Sequence, residues 1–158
     1  MYRHDKTKDR QLILQQAKLF VQDTVLAVSL LANITALLKQ YYSDVNWLGF
    51  YLAEKDKLYL GPFQGESACL YIPFGQGVCG TAAETREIQL VSDVREIENH
   101  IVCDERSLSE IVVPIIIDNE VYGVLDIDAP KVNYFDEADK EFLQEVIDLI
   151  IPTLKSAK

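Results

Sequence analysis

Three cysteines, Cys69, Cys79 and Cys103, are the residues of this 158-residue chain with the clearest potential for chemistry. Each lies in sequence typical of turns rather than of a buried core. Cys79 lies in a glycine-rich stretch, residues 74–80, where backbone can approach a ligand closely, and Cys103 lies in the charged run 100–106. A single free cysteine is more often a small buried hydrophobe than a reactive group. The clustering of three thiols in loops nevertheless favours thiol chemistry.

The cellular compartment bears on the state of these thiols. The charged amino terminus is followed by no segment typical of a signal peptide, and no apolar run approaches membrane-spanning length. We therefore expect a cytoplasmic protein with no membrane partner. An odd number of cysteines there argues for reduced thiols with a transient pair. A zinc site is disfavoured, because there is no Cys-x-x-Cys pair and His4 and His100 are the only histidines. We expect neither metal nor cofactor.

Composition and charge narrow the class of protein. Apolar residues make up 49% and charged residues 25%, which is ordinary for a globular protein and excludes disorder. A net charge of −10 would repel nucleic-acid phosphates, so no nucleic-acid partner is expected. The length suits one domain, residues 1–158, able to bury roughly 70% of the surface that its unfolded chain would expose.

The hydrophobic pattern changes along the chain. Helical spacing in residues 8–42 predicts two helices, with a polar interruption at 22–24 that ends one and caps the next. Short β-rich runs follow in residues 47–128, with one helix predicted at 77–86. Asp136 suits the N-cap of a last helix. This order predicts an α+β fold with a central, largely antiparallel sheet and helices packed on one face. The apolar stripe of the last helix consists of Leu143, Val146, Ile147, Ile150, Ile151 and Leu154.

The first predicted strand, residues 47–52, has two different faces. Alternation places Trp47 and Tyr51 on one face and the apolar residues Leu48, Phe50 and Leu52 on the other. The apolar face should pack against the helices. The two rings flank a glycine and fit either simple packing or the wall of a ligand pocket.

The stretch from Glu110 to Asp128 predicts a β-hairpin with acidic residues on one face. On its second strand, the odd-numbered apolar residues 121–127 share a face, and Asp126 and Asp128 lie opposite them. Three carboxylates gathered together should raise the pKa of at least one, which then keeps a proton near neutral pH. Two carboxylates alone would more often form a solvated acidic edge of the sheet. Three beside a cysteine and aromatic rings favour a functional site.

Loop length sets the register of this hairpin. A two-residue turn at 118–119 would pair Ile127 with Glu110 and turn a carboxylate toward the core, which is costly. We therefore predict a loop of three or five residues, with Glu110 opposite Asp128 and near Asp126. This register also places Ile111, Val113, Ile115 and Ile117 on the apolar face.

Five motifs resemble those of one family. They are NWLGFY at 46–51, LGPFQG at 60–65, AC at 68–69, IPFGQGVCGTAA at 72–83 and LDID at 125–128. Together they resemble the free methionine-(R)-sulfoxide reductases, which are stand-alone GAF domains. The resemblance runs from about Trp47 to the last helix, with all three cysteines at matching places. The amino-terminal helices carry no matching motif, and residues 104–107 depart from the smaller residues usual in relatives.

The resemblance implies a role for each thiol. Cys103 is the nucleophile, Cys69 the main resolving thiol, and Cys79 an auxiliary resolving or relay thiol. Attack of Cys103 on a sulfoxide leaves a sulfenic acid, which a second thiol converts to a disulfide before further oxidation. A Cys69–Cys103 bond requires α-carbons within about 7 Å, so we expect their segments to approach each other, with a mobile lid.

The resemblance also implies how free methionine-(R)-sulfoxide is held. Glu110, Asp126 and Asp128 would supply a proton to the sulfoxide oxygen and an ionised group for the ammonium of the substrate. Trp47 and Tyr51 would form the wall against which its methyl and thioether groups pack. Backbone amides near the glycine-rich stretch would receive its carboxylate.

The expected partners and the alternatives follow from the same comparison. Relatives are regenerated by thioredoxin and suggest a homodimer, although amphipathic helices by themselves fit either core or interface.

One alternative function is that of a non-catalytic GAF sensor that binds a small molecule. The other is a cysteine redox switch, for which the carboxylates have no purpose and would make thiolates less reactive by raising their pKa.

Overall fold

A computed structural model describes residues 6–99, 101, 103 and 105–158. His4, His100 and Asp104, which figure in the sequence analysis, lie outside the described residues. The helices are α1 (Lys6–Gln22), α2 (Ala27–Tyr41), α3 (Gly77–Thr85) and α4 (Glu137–Ser156), and a 3-10 turn spans Val94–Glu96. The strands are β1 (Trp47–Glu54), β2 (Lys57–Gln64), β3 (Tyr71–Pro73), β4 (Gln89–Val91), β5 (Ser109–Ile117) and β6 (Glu120–Ala129).

The six strands form one sheet in the order β3-β2-β1-β6-β5-β4. Every neighbouring pair runs antiparallel, which confirms the predicted α+β class and sheet type. Helices α1, α2 and α4 cover one face. Helix α3 lies on the opposite face, so the prediction of helices on a single face holds for three of the four described helices.

Alternation along β1 separates two apolar clusters, as predicted. Leu48 and Phe50 are fully buried among residues of α1, α2 and α4. Trp47 and Tyr51 pack on the other side with residues of α3, including Val78. Because successive side chains of a strand point to opposite faces, one strand contributes both to the main core and to the smaller cluster under α3.

The loop between β5 and β6 is shorter than predicted. It contains only Asp118 and Asn119, flanked by the pair Ile117 and Glu120. Both loop residues have positive φ, 52° and 64°, the backbone conformation that a two-residue turn requires to match the twist of the flanking strands. The prediction of three or five loop residues was therefore wrong.

A β-bulge at Tyr122 produces the predicted register instead. Ile116 pairs with Val121 and Ile115 pairs with Gly123, so Tyr122 is an extra residue on β6. Beyond the bulge, Glu110 lies opposite Asp128, as predicted. The bulge also changes the face of one residue, because Val121 packs in the cluster under α3 rather than with Leu125 and Ile127 in the main core.

The helix ends follow the sequence in part. Thr24 Oγ1 donates to the carbonyl of Phe20 and ends α1, but the N-cap of α2 is Leu26, which makes no side-chain capping bond. The predicted polar interruption therefore ends one helix without capping the next. Asp136 does cap α4, in a capping box with Asp139. Of the predicted stripe, Leu143, Val146, Ile147, Ile150 and Leu154 are buried, and Ile151 is partly buried against the same core.

In the described part of the chain, none of the helices combines the length and apolarity needed to cross a membrane.

Candidate functional site

A small cavity of about 30 Å³ lies between the sheet and the amino-terminal end of α3. It brings together seven of the eight residues that the sequence analysis assigned to a site. The eighth, Cys69, lies beside the cavity and is bonded to Cys103, which lines it. The seven predicted residues that line the cavity are Trp47, Tyr51, Cys79, Cys103, Glu110, Asp126 and Asp128.

Cys69 and Cys103 form a disulfide. Their α-carbons lie 5.6 Å apart, within the limit of about 7 Å for such a bond. Cys69 belongs to the loop between β2 and β3, and Cys103 to the segment that precedes β5. The predicted approach of these two segments is therefore present in the folded chain.

Two aromatic residues of β1 hold the loop that carries Cys69. The hydroxyl of Tyr51 donates to the carbonyl of Cys69 at 2.9 Å, and Trp47 Nε1 donates to the carbonyl of Glu66 at 3.2 Å. The two rings stack with a centroid separation of 5.8 Å, and Phe63 extends the stack beyond Trp47. The predicted aromatic wall therefore also fixes the position of the resolving-thiol candidate.

The segment that carries Cys103 is tied to the start of α3. Asn99 Nδ2 donates to the carbonyl of Gly75, and the amide of Gly77 donates to the carbonyl of Asn99, both at 3.1 Å. Gly77 has a φ of 65° and packs on Ile101, where an added Cβ would lie 3.2 Å from Cγ1. Glycine at this position therefore permits both the left-handed backbone and the close contact.

Glu110, Asp126 and Asp128 are gathered in the cavity and are buried, with 5%, 5% and 9% exposure. Burial raises the pKa of Glu110 well above its ordinary value, and the charges of Asp126 and Asp128 add to that shift. Burial also raises the pKa of Asp126. The predicted carboxylate cluster is thus present, and burial favours the protonated forms of Glu110 and Asp126.

Cys79 is a free thiol, 4% exposed, in the first turn of α3. Its Sγ lies 3.9 Å from Glu110 Oε1, a long sulfur hydrogen bond. Burial, followed by the charges of Asp126 and Glu110, raises the pKa of the Cys79 thiol well above its ordinary value. The group is therefore protonated at neutral pH, and a protonated thiol is a poor nucleophile.

The structure adds residues that the sequence analysis did not assign to the site. Gln76 and Ile101 line the cavity, as does Ser107, whose Oγ accepts a hydrogen bond of 3.1 Å from Asn46 Nδ2. Ile101 is an apolar residue inside a charged stretch, which is a signal that could have identified it. Ser107 lies in the stretch that departs from the family pattern, and no sequence signal pointed to it.

Comparison with known proteins places this arrangement in a family. The GAF domain family matches residues 28–152. The free methionine-R-sulfoxide reductase of Escherichia coli is 48% identical over 117 residues, covering 74% of this chain and 71% of that protein.

Two solved structures share the whole fold. The reduced form of fRMsr from Staphylococcus aureus has a TM-score of 0.88 at 47% identity, with 92% of this chain and 94% of that chain covered. Free methionine-R-sulfoxide reductase from Neisseria meningitidis, in complex with its substrate, has a TM-score of 0.93 at 38% identity, with 99% and 95% covered. The chain therefore belongs to the GAF domain family and, within it, to the free methionine-(R)-sulfoxide reductases, a family of oxidoreductases.

Proposed function

We propose that this protein reduces free L-methionine-(R)-sulfoxide to L-methionine. The observation that carries the proposal is one cavity in which Cys103, already bonded to Cys69, faces a buried carboxylate cluster and an aromatic wall. Relatives with the same fold carry the name of this reaction, and one of them is described in complex with its substrate. A thiol, a proton donor and an apolar wall are the groups that sulfoxide reduction requires.

In the proposed first step, the Cys103 thiolate attacks the sulfoxide sulfur. The sulfur–sulfur bond formed by this attack then breaks as the oxygen passes from the methionine sulfur to the Cys103 sulfur, which is oxidised by two electrons to a sulfenic acid while the methionine sulfur is reduced by two. A proton delivered to the oxygen lowers the barrier, because the developing negative charge on it is neutralised. Glu110 fits the donor role best, since burial and two neighbouring carboxylates raise its pKa.

The rest of the substrate is held by charge. An ionised Asp126 or Asp128 would bind the ammonium group, as a charge-assisted hydrogen bond inside a buried site. The amino-terminal end of α3 lines the cavity at Gly77 and Val78, and the positive end of its helix dipole would receive the carboxylate. Trp47 and Tyr51 would pack against the methyl and thioether groups.

In the proposed second step, the Cys69 thiol attacks the sulfenic acid of Cys103, forming the disulfide and releasing water. A reductant must then reopen the bond, and thioredoxin, which exchanges thiols for disulfides, is the proposed partner. An auxiliary role for Cys79 would require its buried thiol to become accessible, since protonation leaves it a poor nucleophile in the disulfide form. The cytoplasmic location and the homodimer stay predictions.

The size of the cavity indicates when substrate enters. The cavity is small, about 30 Å³, and Cys103 of the Cys69–Cys103 disulfide forms part of its wall. We therefore propose that substrate enters only after the Cys69–Cys103 bond is reduced and Cys103 moves away from Cys69. A site that closes around both the ammonium and the carboxylate would leave no exit for a peptide chain, which would restrict the reaction to the free amino acid.

The test measures methionine released from separate R and S epimers of the free sulfoxide, with dithiothreitol or thioredoxin as reductant. We expect turnover of the R epimer alone, lost in Cys103→Ser. Absence of turnover of either epimer by fully reduced protein would favour a ligand-binding GAF domain. Turnover that survives Cys103→Ser would assign the nucleophile to another thiol, and equal reduction of a peptide-bound sulfoxide would rule out the enclosed site.

A further inference from the structure

The site contains three metal-ligating groups that come from three different elements. Cys79 Sγ, a Glu110 oxygen and an Asp126 oxygen all lie within 4.8 Å of one another. Cys79 is on α3, Glu110 on β5 and Asp126 on β6, and each side chain is at most 5% exposed. Donor atoms held on regular elements keep their geometry better than donors on loops. The proposed reaction requires no step at the Cys79 sulfur.

One oxygen of this cluster has no hydrogen-bond partner among the described residues. This oxygen, Asp126 Oδ1, is buried. A buried carboxylate oxygen without a donor is costly, and a bound cation would remove that cost. Asp126 is also one of the residues that line the cavity.

The charge around the cluster also favours a cation. The described lining residues of the cavity include no Lys, Arg or His, and a third carboxylate, Asp128, lies in the same cavity. Tyr51 of β1 is the other titratable side chain among the described lining residues, since Cys103 is held in the disulfide. Metal binding requires a deprotonated thiol, so an incoming ion must displace the proton of Cys79.

We propose that Cys79, Glu110 and Asp126 form a binding site for a thiophilic divalent cation such as Zn²⁺. The separation of 3.9 Å between Cys79 Sγ and Glu110 Oε1 is close to the ligand separation of about 3.6 Å expected around a tetrahedral zinc ion with one sulfur and one oxygen. A thiolate ligand selects zinc or cobalt over magnesium, which prefers oxygen ligands alone.

This ion would be an inhibitor rather than a cofactor, a consequence that rests on the proposed function. It would occupy Glu110 and Asp126, the groups proposed to protonate the sulfoxide and to bind the ammonium. Binding itself does not depend on turnover and can be measured in a protein that cannot react. The metal site and the proposed function can therefore fail separately.

The test uses the double variant Cys69→Ser/Cys103→Ser, in which Cys79 is the single thiol of the chain. Titration with Co²⁺ should produce a thiolate-to-cobalt charge-transfer band, with one ion bound per chain and at least one proton released. Added Zn²⁺ should abolish the band, and excess Mg²⁺ should not. Adding Cys79→Ala should remove the band, and adding Asp126→Asn should weaken cobalt binding about tenfold or more.

Matched controls separate ligand loss from misfolding. Glu145→Gln, an exposed substitution on α4, should leave the cobalt titration unchanged. Circular dichroism and thermal unfolding check each variant, and Glu110→Gln provides a second ligand test if Cys79→Ala does not fold. Absence of a charge-transfer band in the folded double variant would overturn the site, as would an unaltered band in both Glu110→Gln and Asp126→Asn. Displacement by Mg²⁺ as effective as by Zn²⁺ would overturn the thiolate ligand.

Discussion

The hydroxyl of Tyr51 donates a hydrogen bond of 2.9 Å to the backbone carbonyl of Cys69. This bond joins the buried strand β1 to the loop between β2 and β3, which bears one half of the disulfide. Tyr51 is 2% exposed, so its position is set by packing rather than by the bond itself. A residue of the apolar wall thus also holds the loop of Cys69, the thiol proposed for resolution.

Tyr51→Phe keeps the ring and removes this hydrogen bond. We expect Cys69 to attack the sulfenic acid of Cys103 several-fold more slowly, because a hydrogen bond of about 1 kcal/mol no longer holds its loop. Single-turnover mass spectrometry of disulfide formation measures the rate. Tyr59→Phe, at an exposed ring of β2, is the control and should leave the rate unchanged. Equal rates for wild type and Tyr51→Phe would show that the bond has no part in resolution.

Glu110→Gln should change how stability depends on pH. Burial raises the pKa of Glu110 in the folded state above the value of 4.5 expected when it is unfolded, so its folded form binds the proton more tightly. The contribution of this tighter proton binding to the free energy of unfolding is fully present below pH 4.5. It is lost as the pH rises toward the pKa of Glu110 in the folded protein. The free energy of unfolding of wild type should therefore fall relative to that of Glu110→Gln over this range.

Chemical denaturation at a series of pH values measures this difference. Glu120→Gln, at an exposed position beside the hairpin turn, is the matched control and should run parallel to wild type. A constant difference between wild type and Glu110→Gln from pH 4.5 upward would mean that Glu110 is not protonated preferentially in the folded protein.

The Cys79 thiol should resist alkylation in the folded protein. It is 4% exposed, and burial raises its pKa, so little thiolate is present at neutral pH. In the unreduced protein we expect iodoacetamide to label one cysteine, and only after unfolding. After mild reduction, Cys69 and Cys103 should react at least tenfold faster than Cys79, as followed by peptide mass spectrometry. Labelling of Cys79 as fast as Cys103 would contradict its burial.

Deleting Tyr122 should remove the bulge and leave the register of the site unchanged. Tyr122 is the extra residue on β6, so without it Ile115 still pairs with Gly123, and Glu110 still pairs with Asp128. The deletion loses the packing of the Tyr122 ring against the main core. Thermal unfolding should show a folded deletion variant about as stable as the control Tyr122→Ala, which loses the same ring but keeps the bulge. An unfolded deletion variant beside a folded Tyr122→Ala protein would show that the bulge itself is required for the fold.

Local sequence patterns determined which side chains share a face. Alternation alone placed Trp47 and Tyr51 together on β1, and Asp126 with Asp128 on β6, because successive side chains of any strand point to opposite faces. Helical spacing likewise predicted the buried stripe of α4. These are properties of a single element, and neighbours along the chain suffice to define them.

Tertiary structure decided what depends on contacts between distant segments. The bulge at Tyr122 takes the place of the predicted longer loop. Burial of the apolar face selects the register of the hairpin, and either an added loop residue or a bulge can produce that register. The placement of α3 on the opposite face, and the 5.6 Å between the α-carbons of Cys69 and Cys103, likewise depend on how the sheet brings distant loops together. The sequence by itself determined which side chains share a face, whereas their assembly into one cavity required long-range packing, which no local period encodes.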